Sequence, residues 1–458
     1  MESTLMQAAK SMQGELRGID TLFRGVSTDT RTLREGELFF ALHGPNFDGR
    51  AFVATAATKQ AVAAVVEESV DTEFANITVS DTRIALGKLA ASWRAQMSAR
   101  VIAITGSNGK TTVKEMVASC LSRDASTLAT QGNLNNDIGL PLMLLRLSRE
   151  HRYGVFELGA NHPEEIAYLA ALAQPHVVLI TNAAAAHLEG FGSIAGVARA
   201  KGEILQSKQA PEIAILNRDD AFYDLWTSMA KNTAILSFGM SPQADIHATE
   251  IKPTINGSEF ALVLPETTLQ ISLPLAGTHN VLNACAAAAA ATALGILPEQ
   301  IKEGLQKVLP VSGRLQAIDG VTDIQLFDDS YNANPASVIA AAEFLAAKPG
   351  ESWLVLGDMA ELGTDAALLH ESVGQAVRDA GISRLFATGE QSRRTVAAFG
   401  DDAKWIGSVD DLAEVLVAAL VKSMPAQGAI SVLVKGSRSM RMERVVSALT
   451  HEFKGQGK

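Results

Sequence analysis

The apolar run Val101 to Ile104 leads straight into Thr105-Gly106-Ser107-Asn108-Gly109-Lys110-Thr111-Thr112, and Val113, Met116, Val117, Cys120 and Leu121 follow at the spacing of one helix face. Strand, glycine-rich turn and helix in this order are the parts of a nucleotide-phosphate site. Glycines let backbone N–H groups turn toward phosphate oxygens, the helix amino terminus adds a favourable dipole, Lys110 supplies charge and the Thr111 hydroxyl can ligate magnesium. A phosphate loop of the usual length has a glycine where this chain has Ile104, so the loop is a shortened one. A glycine turn with a surface lysine is the alternative, and the flanking strand and helix argue against it. The expectation is triphosphate binding through Gly106 to Thr112, with phosphoryl transfer or hydrolysis as the chemistry.

From Val101 onward, apolar runs alternate with helical stretches: Val101 to Ile104, Val155 to Leu158, Val177 to Thr181, Ile213 to Leu216 and Ala234 to Phe238. That alternation predicts a parallel, helix-covered sheet. It resumes after Gly313-Arg314 with Ile324 to Phe327, Trp353 to Leu356, Leu385 to Thr388 and Ile430 to Val434. Residues 1 to 98 mix shorter apolar runs (Glu37 to Leu42, Ala61 to Val66, Ile77 to Ser80) with turn clusters and read as a small α/β domain. At 458 residues the chain is about three domains long. The divisions fall at 1–98, 99–313 and 314–458, the last two being α/β domains with ligand edges beyond the carboxyl ends of their strands. The alanine-rich segment 284–293 reads as a closely packed helix.

Hydrophobic residues make up 47% and charged residues 19%, the mix of a compact globular protein. A net charge of -11 repels a polyphosphate backbone, which argues against a nucleic-acid reader. Small anions remain possible, because local loops bind them. Cys120 and Cys285 sit far apart among apolar or small residues and read as buried thiols of a reducing compartment. With no apolar leader and no run long enough to span a bilayer, a cytoplasmic monomer without membrane insertion is expected.

Three further residues stand at strand exits or after them. Glu157 ends an apolar strand, where a carboxylate without a counter-charge is costly, so a magnesium ion beside Thr111 is one partner and a structural ion pair the other. His187 follows Thr181-Asn182-Ala183-Ala184-Ala185-Ala186 and reads as a metal ligand or as a structural histidine. Lys201 taken alone is a solvated helix charge.

The combination resembles the Mur ligases, the ATP-dependent amide-forming enzymes of peptidoglycan precursor synthesis. The shortened loop is their form of the phosphate loop. The resemblance extends to Gly132-Asn133-Leu134-Asn135-Asn136-Asp137-Ile138-Gly139, Glu157-Leu158-Gly159-Ala160-Asn161-His162 and His187-Leu188-Glu189-Gly190-Phe191-Gly192. It continues through Asp328-Asp329-Ser330-Tyr331-Asn332-Ala333-Asn334-Pro335, Gly357-Asp358-Met359-Ala360-Glu361-Leu362-Gly363 and Lys435-Gly436-Ser437-Arg438. These motifs cover nearly the whole chain in order.

The resemblance implies three domains that bind, in turn, a UDP-sugar, ATP, and the incoming amine with part of ATP. Within the family the match is to the member that joins D-alanyl-D-alanine to UDP-N-acetylmuramoyl-tripeptide. It implies that Ser27, Thr28, Asp29 and Arg31, with Asn46, Phe47 and Asp48, hold the UDP end. It implies that Lys201 carries a carbamate, an anion able to bind magnesium. Glu157, His187 and modified Lys201 would then form a second metal site beside the one at Thr111 and Glu157. Asn280 and Asn283 would read adenine, a helix-capping role being the alternative. Arg314 would reach the triphosphate, and Asp329 the ribose or metal edge. Asn135 and Asn136 would meet substrate, and Asn332, Asn334, Asp358, Ser437 and Arg438 would line the amine side. Arg438 suits the free carboxylate of a dipeptide, which it can grip with two bonds. Whether the tripeptide's third residue is diaminopimelate or lysine stays open.

Three competitors are weighed. Asn217-Arg218-Asp219-Asp220 imitates the guanine-reading motif of a GTPase, but no D-x-x-G stands between it and a loop that is too short. A folylpolyglutamate synthase lacks a separate domain of about 98 residues ahead of the loop. A non-catalytic relative would have lost Lys110, Glu157 or Lys201, and all three are present.

Overall fold

The protein is seen here as a computed structural model that describes residues 1–44, 47–68, 74–207, 209–254, 257–322, 324–423 and 429–454. Three main sheets follow one another along the chain. The first has five strands in the order Glu15–Arg17, Asn76–Thr78, Ala63–Val66, Leu38–Phe40 and Val26–Ser27, parallel except where Glu15–Arg17 runs against Asn76–Thr78. The helix Thr82–Arg94 leaves it, started by the Asp81 carboxylate, which accepts the Ile84 N–H.

The middle sheet has nine strands, in the order Thr127–Ala129, Tyr153–Glu157, Arg100–Thr105, Val177–Ile180, Ile213–Asn217, Ala234–Gly239, Ile246–Pro253, Ser258–Val263 and Thr268–Leu273. Pairing is parallel as far as Ile246–Pro253 and antiparallel beyond it. Alternate residues of its strands feed opposite faces, as a strand period of two requires. Val101, Ala103, Val178 and Ile180 face one core, and Ile102, Ile104, Val177 and Leu179 face the other. Both faces are covered, which is why these strands read as unbroken apolar runs rather than alternating ones.

The second face is closed by helices Lys110–Leu121 and Thr278–Ala293. Ala284 to Ala291, with Cys285 among them, are fully buried, and such small side chains let a helix approach its neighbours closely. The first face packs onto Thr82–Arg94, so the first and middle domains share one continuous hydrophobic core across residue 98. Arg94 seals this joint, its buried guanidinium donating to the carbonyls of Ala173, Met97 and Gln174.

The last sheet runs Gln316–Ala317, Ile324–Asp329, Ile430–Lys435, Glu351–Leu356, Arg384–Thr388 and Ala403–Ile406, parallel except for its first short strand. It has its own core on each face. The α/β architecture expected from the alternating runs is therefore present. The antiparallel extension Ser258–Val263 and Thr268–Leu273 was not anticipated; in the latter, buried and exposed residues alternate because only one side is covered.

Candidate active site

A cleft of about 1580 Å³ is walled by all three parts of the chain: Asp81, Arg83 and Ile84 from the first, the phosphate loop, Asn135, Glu157 and His187 from the second, and Arg314, Tyr331, Glu361, Lys435 and Arg438 from the third. The phosphate loop stands at the carboxyl end of strand Arg100–Thr105, where open α/β sheets bind ligands. Gly106 and Gly109 both have positive φ, 143° and 81°. A side chain at Gly106 would strike the Thr181 hydroxyl, and one at Gly109 would meet the Asn283 amide oxygen at 2.5 Å. Glycine is therefore required twice, by conformation and by space.

The segment after strand Val177–Ile180 moulds the loop. Asn108 N–H donates to the Asn182 side chain at 3.0 Å, and the Thr181 hydroxyl donates to the Asn108 carbonyl at 2.7 Å. Ser107 is held through its hydroxyl to Ala184. The first amides of helix Lys110–Leu121 have no intrahelical acceptors, which makes Thr111 and Thr112 N–H groups natural phosphate donors. The Lys110 ammonium folds back on the loop carbonyls of Gly106, at 2.7 Å, and Ser107. Burial lowers its pKa below the ordinary lysine value, Glu157 opposes that shift and Arg314 adds to it. A triphosphate would give this cation a better partner than two carbonyls.

Glu157 is 3% exposed, and neutral donors hold both of its oxygens. The Thr111 hydroxyl donates to one at 2.9 Å and the Asn135 amide to the other at 2.9 Å. Among the described residues no cation forms an ion pair with it, so the structural-pair alternative for Glu157 fails. A buried carboxylate beside a hydroxyl is an oxygen donor set suited to a hard divalent cation. Gly159 lies against the Asn135 amide, where an added side chain carbon would sit at 3.0 Å, and so lets Asn135 reach in.

His187 lies on the cleft wall, in the left-handed region at φ 55°, and its Nδ1 meets the Glu361 carboxylate of the third domain. Lys201 is not on the wall. It is 1% exposed, with its ammonium 5.2 Å from the centre of the Phe191 ring, and it makes no ion pair among the described residues. Burial first, and then the charge of Lys110, push its pKa down to about 7. The solvated-charge reading of Lys201 is thereby excluded.

Asn280 and Asn283 are buried at the start of helix Thr278–Ala293. Asn280 donates to the Ala276 carbonyl at 2.8 Å and Asn283 donates to Asn280. Gly277 is the cap residue and no side chain caps this helix, so the capping alternative does not hold. Arg314 stacks 4.2 Å over the Tyr331 ring and Arg438 lies 6.0 Å from the same ring, which sets two guanidinium groups along the cleft.

Three family descriptions match in order: "Mur ligase family, catalytic domain" over residues 22–94, "Mur ligase middle domain" over 104–291 and "Mur ligase, glutamate ligase domain" over 313–438. The chain is a Mur ligase. It is similar to the UDP-N-acetylmuramoyl-tripeptide–D-alanyl-D-alanine ligase of Escherichia coli, with 46% identity over 97% of this chain and 98% of that one. The crystal structure of MurF from Acinetobacter baumannii superposes with a TM-score of 0.93 at 38% identity, covering 98% of this Mur ligase and 99% of its relative. The Thermotoga maritima MurF ligase in complex with ADP superposes at 0.83 with 26% identity, over 95% and 99% of the two chains.

Other expected residues of this ligase fall outside the cleft or are already engaged. Asp358 is not on its wall, since its carboxylate accepts N–H groups from Gln391 and Ser392 and the Ser392 hydroxyl, fixing the start of helix Ser392–Phe399. Asp329, expected at the ribose or metal edge, is engaged within the third domain. It pairs with Lys435 at 2.7 Å and accepts the Leu315 N–H. Asn136 caps the turn into helix Gly139–Leu144 by accepting the Gly139 N–H. Asn334 caps helix Pro335–Ala346 and also donates to Asn108 of the phosphate loop at 2.7 Å, bridging two domains. Asn332 and Ser437 line the cleft.

Ser27, Thr28, Asp29, Arg31 and Asp48 lie off this cleft. The Arg31 side chain donates to both carboxylate oxygens of Asp29, and Asp48 is paired with Arg50. Asn46 and the Phe47 side chain fall outside the described residues. Sequence reading missed Lys435, Glu361, Tyr331 and Arg83, all four of them on the cleft wall. The first three lie inside motifs already noted, but nothing local to them signals which side chains face the cleft. The guanine-reading imitation also dissolves: Asp219 accepts the Met240 N–H, and Asp220 accepts those of Ala183 and Phe222.

Proposed function

We infer that this Mur ligase uses ATP to join D-alanyl-D-alanine to UDP-N-acetylmuramoyl-tripeptide, releasing ADP and phosphate and supplying the pentapeptide precursor of the cell wall. The observation that carries this reading is the buried Glu157 carboxylate beside the Thr111 hydroxyl and Lys110, in a cleft to which three domains contribute. The full-length similarity to ligases named for these substrates supports it.

A carboxylate does not acylate an amine at neutral pH, because oxide cannot leave, and transfer of a phosphoryl group onto it solves that. The tripeptide's terminal carboxylate attacks the γ-phosphate, giving an acyl phosphate and ADP. Lys110 and the loop N–H groups stabilise charge spreading over the transferred oxygens, and Arg314 faces the same triphosphate. The dipeptide amine then adds to the acyl carbon, the tetrahedral intermediate collapses, phosphate leaves and the amine sheds its proton. Arg438 holds the dipeptide carboxylate.

Thr111 and Glu157 would hold a magnesium ion, which would supply charge neutralisation for the triphosphate. His187, Glu157 and a carbamylated Lys201 would hold a second ion. A lysine with a pKa of about 7 is about half free of its proton at neutrality, and that free amine can add carbon dioxide, losing a proton to become an anionic carbamate. Asn280 and Asn283 are the adenine contacts, and Ser27, Thr28, Asp29, Arg31 and Asp48, with Asn46 and Phe47, remain the UDP contacts of this proposal. The working form is a cytoplasmic monomer.

Purified protein with ATP, magnesium, UDP-N-acetylmuramoyl-tripeptide and D-alanyl-D-alanine is expected to release phosphate in step with pentapeptide. Phosphate release that does not depend on the dipeptide would sink the reading. Turnover with the diaminopimelate and lysine tripeptides separates the two substrate classes.

A further inference from the structure

Two facing segments, one from the middle domain and one from the third, meet at the cleft in an unusual way. His187 and Glu361 both have backbones in the left-handed region, at φ 55° and 62°, although neither is glycine. Side chains seldom adopt that region, and such residues persist where surrounding structure enforces them, often at functional sites. Here each presents its side chain to the other: the Glu361 carboxylate is in close contact with His187 Nδ1, a buried nitrogen to which no described group is aligned as a hydrogen-bond partner.

The contact is built as well as charged. The Glu361 carbonyl accepts the Glu189 N–H at 3.3 Å, and Gly363, with φ 66°, lies against the Glu189 backbone, where an added side chain carbon would sit at 3.5 Å. On its own side the Glu361 loop is anchored by His370, which is wholly buried: its Nε2 accepts the Met359 N–H at 3.0 Å, and its Nδ1 faces the Ala366 carbonyl at 2.8 Å. A loop so held delivers its carboxylate to one place.

We propose that Glu361 is a positioning residue for His187: its carboxylate accepts a hydrogen bond from Nδ1–H, which leaves Nε2 as the nitrogen with a free lone pair. An imidazole has one proton for two nitrogens, so the partner of one fixes the role of the other. Because Glu361 belongs to the third domain, His187 is set only while that domain is docked on the middle one. Chemistry at the cleft and closure over the amine substrate are thereby coupled. This rests on the proposed reading that His187 acts at the cleft, but the contact itself is testable without turnover.

The test uses full-length Glu361→Ala, Glu361→Gln, His187→Ala and the double variant. In 15N-histidine-labelled protein, with the His187 signals assigned by their loss in His187→Ala, the parent is expected to hold a proton on Nδ1. Glu361→Ala loses that fixed tautomer, whereas Glu361→Gln keeps it, since an amide oxygen still accepts. In the ligase assay Glu361→Ala lowers kcat about 10- to 100-fold, the scale on which residues that orient a ligand act. Glu361→Gln recovers most of it, and the double variant is no worse than His187→Ala. An unchanged His187 tautomer in Glu361→Ala, or losses that multiply in the double variant, would overturn the proposal. Should the parent show no ligase activity at all, the functional reading fails while the tautomer still reports on the contact.

Discussion

Glu157 and Asp329 each end a strand, in two different sheets; both are largely buried, and they are neutralised in opposite ways. Glu157 rests on a hydroxyl and an amide, and among the described residues no cation pairs with it. Asp329 has a lysine of its own chain, Lys435, at 2.7 Å, and a backbone N–H besides. A carboxylate built to receive a metal must leave its charge unbalanced by protein, since a resident ammonium would compete for it. One built to hold a domain together carries its counter-ion with it. Position at a strand end therefore does not identify a catalytic acid, but the identity of its partners does.

The largest effect should come from removing the unbalanced charge. Glu157→Gln is expected to lower kcat by about 10³-fold, several kcal/mol of transition-state stabilisation, while the thermal midpoint stays put or rises. A calorimetric scan beside the phosphate assay checks both halves, and a large fall in midpoint would place Glu157 with Asp329 as a structural acid. Asp329→Asn should do the reverse. It strands Lys435 in the interior, at a cost of about 3–5 kcal/mol of stability, and Asp329→Asn with Lys435→Met should recover much of that. Failure of the second change to rescue would mean the pair is not what Asp329 is for.

Lys201 offers a smaller effect with a sign that can be worked out. Its folded pKa of about 7 lies below the ordinary lysine value of 10.5, so between these pH values the unfolded chain binds more protons than the folded one. Stability from this group is fullest above pH 10.5 and is lost as pH falls toward 7. In buffer free of carbon dioxide, Lys201→Met should therefore raise the thermal midpoint more at pH 7 than at pH 10, while abolishing activity. An equal rise at both values would contradict the buried-amine account. The smallest effect is expected at Asn334→Ala, about 1 kcal/mol for a lost helix cap, read as a lower unfolding midpoint in denaturant.

Much of this was legible in the sequence where chemistry is local. The phosphate loop is a contiguous strand, turn and helix, so Gly106, Gly109, Lys110 and Thr111 could be read from spacing, and the fully covered parallel strands from their unbroken apolar runs. Glu157 could be placed at a strand end, but Asn135, one of its two side-chain donors, was set down for substrate. Roles decided by partners far along the chain were not legible. Asp329 and Asp358 looked alike as acids after strands, and only the fold reveals that Lys435 takes one and the start of a distant helix takes the other. Glu361 was visible within a motif, yet its meeting with His187 depends on how two domains dock. Part of the antiparallel end of the middle sheet was missed because Thr268–Leu273 alternates buried and exposed residues and lacks the unbroken apolar run that both-sided burial imposes.

The central claim is that the tripeptide carboxylate is activated by phosphoryl transfer onto one of its own oxygens. It can be tested with UDP-N-acetylmuramoyl-tripeptide labelled with 18O in that carboxylate, analysing the phosphate released in a single turnover by mass spectrometry. The account predicts that each phosphate carries one substrate oxygen. Phosphate free of label, with pentapeptide formed, would contradict it.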